Sequence, residues 1–250
     1  MKFALQVFAI AVLVIAIILG IMMYAGVSAA YRRGDSINNF RSIAMSISTY
    51  VDFYKKLPQP VYFDKKSGEP LYSWRYRIIP YVGSYKRDLF YDFKWDHKVN
   101  AIWWDVPQPF ANNGFKEGVW QGASPRIPNK TNIFAITGPD TGFGEPKLDK
   151  PVDFDKLPKD LVLFAEVAQS GKHWMEPGDF DIRTMDRRIN GSKSNSISSV
   201  HKDGFFVMFS DLEIWYLSNR IPFKVLAEFF TITGARKNDR SHLLEPYRLY

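Results

Sequence analysis

Residues 3–24 read FALQVFAIAVLVIAIILGIMMY, and residues 35–60 read DSINNFRSIAMSISTYVDFYKKLPQP. In the first run Gln6 is the one strongly polar side chain, and no charge occurs between Phe3 and Tyr24. Twenty-two residues at helical rise span about 33 Å, enough for a hydrocarbon core of about 30 Å. The run predicts a transmembrane helix over residues 1–24 and the lipid bilayer as first partner. Ala25, Gly26, Ser28, Ala29 and Ala30 supply the small residues of a signal-peptide cleavage site, but the apolar run is long for a signal core.

The second run has helical periodicity. Ile37, Phe40, Ile43, Ala44, Ile47, Tyr50, Val51 and Tyr54 recur at three- and four-residue intervals. An amphipathic spine helix is therefore expected over residues 25–57. Gly34 and Asp35 read as a hinge from the span, Ser36 as its N-cap, and Leu57-Pro58-Gln59-Pro60 as its end. The apolar face implies a soluble domain to pack on, which residues 58–250 supply.

That domain carries most of the Pro and Gly, between short aromatic-rich runs. Candidate strands or short helices are Trp74–Tyr81, Ile102–Trp104, Asn132–Thr137 and Leu161–Val167. The clearest element is a hairpin, Phe205–Phe209 turning at Ser210-Asp211 into Glu213–Leu217. Both faces of its first strand are apolar, which places that strand centrally in a sheet. Ile221–Thr233 reads as a closing amphipathic helix with Gly234 as its stop. The loops around 105–130 and 140–158 read as surface excursions. The fold class is α+β: a membrane helix continuing into an amphipathic spine packed on an antiparallel β-sheet with long loops.

Composition narrows the function. The chain has no Cys, which excludes disulfide scaffolds, thiolate zinc sites, iron–sulfur clusters and cysteine nucleophiles. Lys and Arg number 33 against 26 Asp and Glu, a net charge of +7. No basic run with interleaved aromatics accompanies it, so nucleic acid is not an expected partner. Arg32, Arg33 and Arg41 follow the span while Lys2 precedes it, a count that favours a cytoplasmic C-terminus.

In its ordered set of short motifs the chain resembles a family of bacterial pilin-like proteins of unknown molecular function. Their N-termini are related to type IV pilins and type II secretion pseudopilins, and their C-terminal part carries a His-x9-Asp-Gly motif. The matching positions include Asn38-Asn39, Leu57-Pro58, Ser73-Trp74-Arg75, Ile79-Pro80-Tyr81, Trp95-Asp96 and Asn100. They continue through Thr131-Asn132, Gly138-Pro139, Thr141, Glu166-Val167, His173-Trp174-Met175-Glu176-Pro177 and Ile197-Ser198-Ser199 to His201 and Asp211. The resemblance implies a pilin-like fold and a membrane-anchored, pseudopilin-like structural or accessory protein of the cell envelope. It also implies other pilin-like subunits or envelope proteins as partners. The N-terminus would be cytoplasmic and the domain exported, against the local charge count. Two departures stand out. No glycine precedes the span and no glutamate lies within it, where the family has a processing motif and an assembly carboxylate. Asp211 is followed by Leu212, where glycine would tolerate the turn better.

The rival reading is a tethered metal- or glycan-binding module, or a hydrolase, with a site near His173 and His201. The metal-ligand candidates are His173, Glu176, Asp179, Asp181 and His201, with a divalent cation held through the Asp179 and Asp181 loop as the alternative to no cofactor. No nucleophile elbow or phosphate loop occurs, and the glycine-rich Gly138–Gly144 segment reads as a turn. The expectation is a non-enzymatic protein. The motif positions Asn38, Asn39, Trp74, Arg75, Trp95, Asp96, Asn132, Glu166, His173, Trp174, Glu176, His201 and Asp211 are read as structural. Most of the tryptophans are expected in the core, with one of Trp103-Trp104 exposed as a candidate sugar platform.

Overall fold

A computed structural model of the chain describes residues 2–81, 130–146, 152–192 and 194–250. The candidate element Ile102–Trp104, the loop around 105–130, and Trp95, Asp96, Asn100, Trp103, Trp104 and Trp120 lie outside the described residues.

Helix α1 (Lys2–Tyr54) is a single unbroken helix of 53 residues. At 1.5 Å per residue it is about 80 Å long. Its first half is apolar and exposed, long and apolar enough to cross a membrane. In its second half Phe40, Ile43, Ala44, Ile47, Tyr50 and Val51 are buried on one face, while Met45 and Phe53 point away. The expected spine is present; the expected hinge and cap are not. Gly34 and Asp35 continue the helix, and Ser36 lies inside it, buried, with its hydroxyl directed to His201 rather than to first-turn amides. The helix also stops before Pro58. Lys55 adopts φ +58° and donates its amide to Val51 O at 2.8 Å, ending the helix with a left-handed residue.

After α1 the chain forms a small antiparallel pair, β1 (Val61–Phe63) and β2 (Pro70–Ser73), then the short helix α2 (Trp74–Ile78). The main sheet contains β3 (Ile133–Thr137), β4 (Val162–Glu166), β5 (Phe180–Asp181), β6 (Gly204–Phe209) and β7 (Ile214–Ser218), in the order β5-β3-β4-β6-β7. It is mixed rather than purely antiparallel, because β5 pairs parallel to β3. The β6–β7 hairpin forms in the expected place, with Phe206 opposite Tyr216. All six residues of β6 are buried, as its two apolar faces require. Strand β7 is at the sheet's end, yet its free edge is covered: Leu249 donates to Tyr216 O at 2.8 Å and Tyr216 donates to Tyr250 O at 3.2 Å.

The two faces of the sheet have different covers. On one, Phe206 meets Phe40 of α1 and Phe164 meets Trp74 of α2, at ring-centre distances of 6.0 and 4.7 Å. On the other, Phe209 and Trp215 lie under the guanidinium of Arg240. That arginine opens α5 (Arg240–Leu243), the last of three short helices after α3 (Phe223–Ala227) and α4 (Ile232–Lys237).

These helices replace the single helix expected over Ile221–Thr233. The chain breaks between Glu228 and Thr231, and Thr231 caps α4 by accepting from the amide of Gly234. Gly234 is thus inside a helix rather than its stop. A side chain there would place Cβ 2.1 Å from Glu228 O, so the close return of the chain requires glycine. The loop expected as a surface excursion around 140–158 is also drawn inward at its start: Thr141 and Phe143 are buried, and the turn closes through Thr141 Oγ1 onto Gly138 O at 2.9 Å.

Candidate functional site

Four of the motif residues, Trp74, Arg75, Glu166 and His201, fall in two buried polar networks. The first joins α1 to the sheet. Glu166, at the end of β4, is buried with its Oε2 accepting from the Phe206 amide at 2.9 Å, across the β4–β6 pair. Its Oε1 lies 4.0 Å from His201 Nε2, and the same Nε2 is 3.1 Å from Ser36 Oγ. The His201 ring is set edge-on between Phe206 and Tyr216. Around this pocket Tyr216 donates to Asp203 Oδ1 at 2.5 Å, and Arg33 stands 4.0 Å from Asp203 Oδ2.

Burial sets the protonation of this network. Removing the Glu166 carboxyl from water pushes its pKa up to about 7, although the Phe206 amide favours the anion. Removing the imidazole from water, with the Arg33 charge nearby, pushes His201 down to about 4. The folded state therefore keeps the imidazole neutral near neutral pH and favours the protonated carboxyl of Glu166 far more than water does.

A serine, a histidine and a glutamate in one place invite comparison with a hydrolytic triad, and the geometry differs from one. A triad needs the acid on Nδ1 and the serine on Nε2, so that the base is oriented on one side and attacks through the other. Here both groups face Nε2, and Ser36 has no exposed surface for a substrate to reach. What the arrangement does is fasten the first buried turn of α1 to the central strands.

The second network holds the opposite part of the sheet. Arg75 of α2 is wholly buried and stacks over Trp74 and Phe134 at 4.7 and 5.5 Å. Its Nη2 donates to Ile133 O and to Asp179 Oδ1, each at 2.7 Å. The same Asp179 oxygen accepts from the Ala135 amide at 2.8 Å and from Trp74 Nε1 at 3.2 Å. Burial works against both charges, raising Asp179 and lowering Arg75, and their mutual attraction offsets it.

His173 belongs to a neighbouring turn. Its amide donates to Glu176 Oε2 at 3.1 Å, and its Nδ1 accepts from the Met175 amide at 3.2 Å. Ser73 donates through Oγ to Trp174 O and through its amide to Met175 O, so this turn is stitched to the end of β2. Trp174 and Met175 are buried beneath it. Asn39 and Asn132 are buried too, whereas Asn38 is exposed and accepts from Arg41.

The metal-ligand candidates are thus dispersed. His201 and His173 sit in separate networks, Asp179 is held by Arg75, and Asp181 by Arg183 at 2.6 Å. Among the described residues no group of three or more His, Asp or Glu side chains stands close enough to hold a metal ion.

Asp211 accepts from the Glu213 amide at 3.1 Å, the turn contact its position suggests, and Leu212 takes the left-handed φ of +67° that glycine would have supplied. Its larger role was not visible in the hairpin sequence. Arg240, from α5, grips both oxygens of Asp211, donates to Glu213 Oε2 at 3.0 Å and approaches Asp160 Oδ1 at 3.3 Å. No local pattern marks a lone arginine 29 residues downstream as the partner of a turn aspartate.

Comparison with family models, with curated proteins and with solved structures gives no match to this chain.

Proposed function

We infer that this chain is a membrane-anchored, pilin-like structural or accessory protein of the cell envelope, non-enzymatic, with its N-terminus cytoplasmic and its domain outside. The observation that carries the reading is the continuity of α1. One helix runs from an exposed apolar half directly into the core of the domain, without a break at Gly34. A rigid connection of this kind transmits position and force between a bilayer and a folded head, whereas a tethered enzyme needs only a loose linker. The burial of His173, His201 and Glu166 gives the same direction of support, since each is used in packing rather than presented to a ligand.

The absence of Cys makes the test clean. Single cysteines at Val12, Ile15, Leu19 and Met22 in the native membrane, followed by oxidation, will cross-link copies of the chain at helically spaced positions if the spans pack as subunits. Uniformly monomeric protein at all four positions overturns the subunit reading. A cysteine at Ser194 will react with an impermeant maleimide on intact spheroplasts if the domain is exported, and protection there overturns the orientation.

A further inference from the structure

Outside both networks lies a cleft that neither the fold nor the anchoring uses. It has a volume of about 440 Å³ and sits between the segment after β5, which gives Ile182, Met185 and Arg187, and α3 with its following turn, which gives Phe223, Lys224 and Phe230. Small-ligand sites occupy about 300–1,000 Å³ and are mostly apolar with a few placed polar groups. This cleft fits that description: Met185 and Phe230 form a buried floor, and Phe223 a half-buried wall.

The charge on its rim is one-sided. Arg187 and Lys224 are both exposed, and neither makes an ion pair or a side-chain hydrogen bond among the described residues. Their neighbours behave otherwise. Arg188 is paired with Asp186 at 2.9 Å, and Arg183 is paired with Asp181 at 2.6 Å and Glu145 at 3.0 Å. An apolar hollow with two uncompensated cations at its mouth is complementary to an amphiphile whose head is anionic and whose body is apolar.

We propose that this cleft binds a carboxylate amphiphile, an acyl chain of medium length, with its chain against Met185, Phe223 and Phe230 and its carboxylate between Arg187 and Lys224. The site is independent of α1 and of the anchoring role. Burying the chain supplies a non-directional attraction, and the two cations select the head.

The test uses the full chain in nanodiscs with a diazirine-bearing decanoate, irradiated and mapped by peptide mass spectrometry. Label is expected on residues 182–187 and 223–231, to be displaced by unlabelled decanoate and to fall at least fivefold in the Arg187→Glu, Lys224→Glu double variant. Arg188→Glu should leave it unchanged, and the diazirine-bearing alcohol of the same length should label these peptides far less than the acid. Melting curves of the double variant, whose changed side chains are exposed, check that it is folded. Label confined to residues 3–24, label that survives the charge reversals, or equal labelling by acid and alcohol each overturns the proposal.

Discussion

Ser36 and His201 are 165 residues apart in sequence and 3.1 Å apart in the fold. The serine sits at the point where α1 changes from an exposed rod into the spine of a domain, and the histidine sits just before β6, an interior strand of the sheet. Their contact, reinforced by Glu166 on the same side of the ring, fixes the axial position of α1 on the sheet. Apolar packing alone is tolerant of sliding along a helix face; a buried polar contact is not, because slippage would leave its members unpaired.

The spine itself is held by apolar burial. Phe40, Ile43, Ile47, Tyr50 and Val51 each contribute about 1.5–3 kcal/mol by leaving water. Ile47→Asp places a charge where there is no exposed surface and is expected to unfold the domain, seen as loss of a cooperative melt. Arg41→Glu on the exposed side, where only an Asn38 contact is lost, should melt within a degree or two of the wild type.

How much of this was legible beforehand depends on the range of the interaction. The period of residues 37–54 exposes the spine face directly, because helical spacing is a local property. The double apolar pattern of residues 205–209 likewise announces a covered, central strand. By contrast, the parallel placement of β5 rests on contacts of Phe180 and Asp181 with Ile136 and Thr137, more than forty residues earlier, and two residues carry no period. Ser36 illustrates a different failure. A serine at the start of an apolar pattern has the local signature of a cap, and only the arrival of His201 from the far end of the chain gives its hydroxyl another use. The same holds for Asp211, whose turn contact is local and whose arginine is not.

Arg240 should therefore be more costly to remove than Asp211. Its side chain is 7% exposed and forms ion pairs with Asp211, Asp160 and Glu213 together. Arg240→Met leaves Asp160, itself nearly buried, without its counter-charge, with an expected cost of about 3–5 kcal/mol. Asp211→Asn keeps the shape of the turn and should cost about 1–2 kcal/mol. Urea titrations of both variants check the order; an Asp211→Asn loss equal to that of Arg240→Met would show that Asp160 does not depend on the arginine.

Gly142 is a second position where space rather than backbone freedom decides the residue. A Cβ there would lie 2.6 Å from Leu163 Cδ2 and 3.1 Å from Leu161 Cδ2, both side chains being buried in β4 and its approach. Gly142→Ala is expected to destabilise by about 1–3 kcal/mol through overpacking. In the background Leu163→Ala the same substitution should cost much less, since the nearest obstructing methyl is gone. A double-mutant cycle showing simple additivity would mean that the loop moves instead of the leucine.

Glu166 and His201 make opposite contributions to the pH dependence of stability. Glu166 rises from an ordinary 4.5 to about 7, so between those values the folded state holds a proton that the unfolded chain has released, and stability falls as pH rises through this window. His201 drops from an ordinary 6.5 to about 4, so between those values the unfolded chain holds the extra proton, and stability rises with pH. From about pH 4.5 to 6.5 the two slopes cancel: folding moves one proton from the imidazole to the carboxyl without changing the total. The pair itself should accordingly add almost no net slope across this range, and each variant is read as its difference from the wild type. Glu166→Gln preserves the acceptor for the Phe206 amide and removes the falling limb, leaving stability that climbs from about pH 4 to 6.5. His201→Asn removes the rising limb, leaving stability that declines from about pH 4.5 to 7. Each uncovered slope amounts to on the order of a few kcal/mol over its window, since a tenfold difference in proton affinity between the folded and unfolded chain corresponds to about 1.4 kcal/mol. Chemical denaturation of the three proteins at half-unit pH intervals from about pH 4 to 8 decides it. Parallel profiles for wild type and both variants would show that the proton does not move between these two groups on folding.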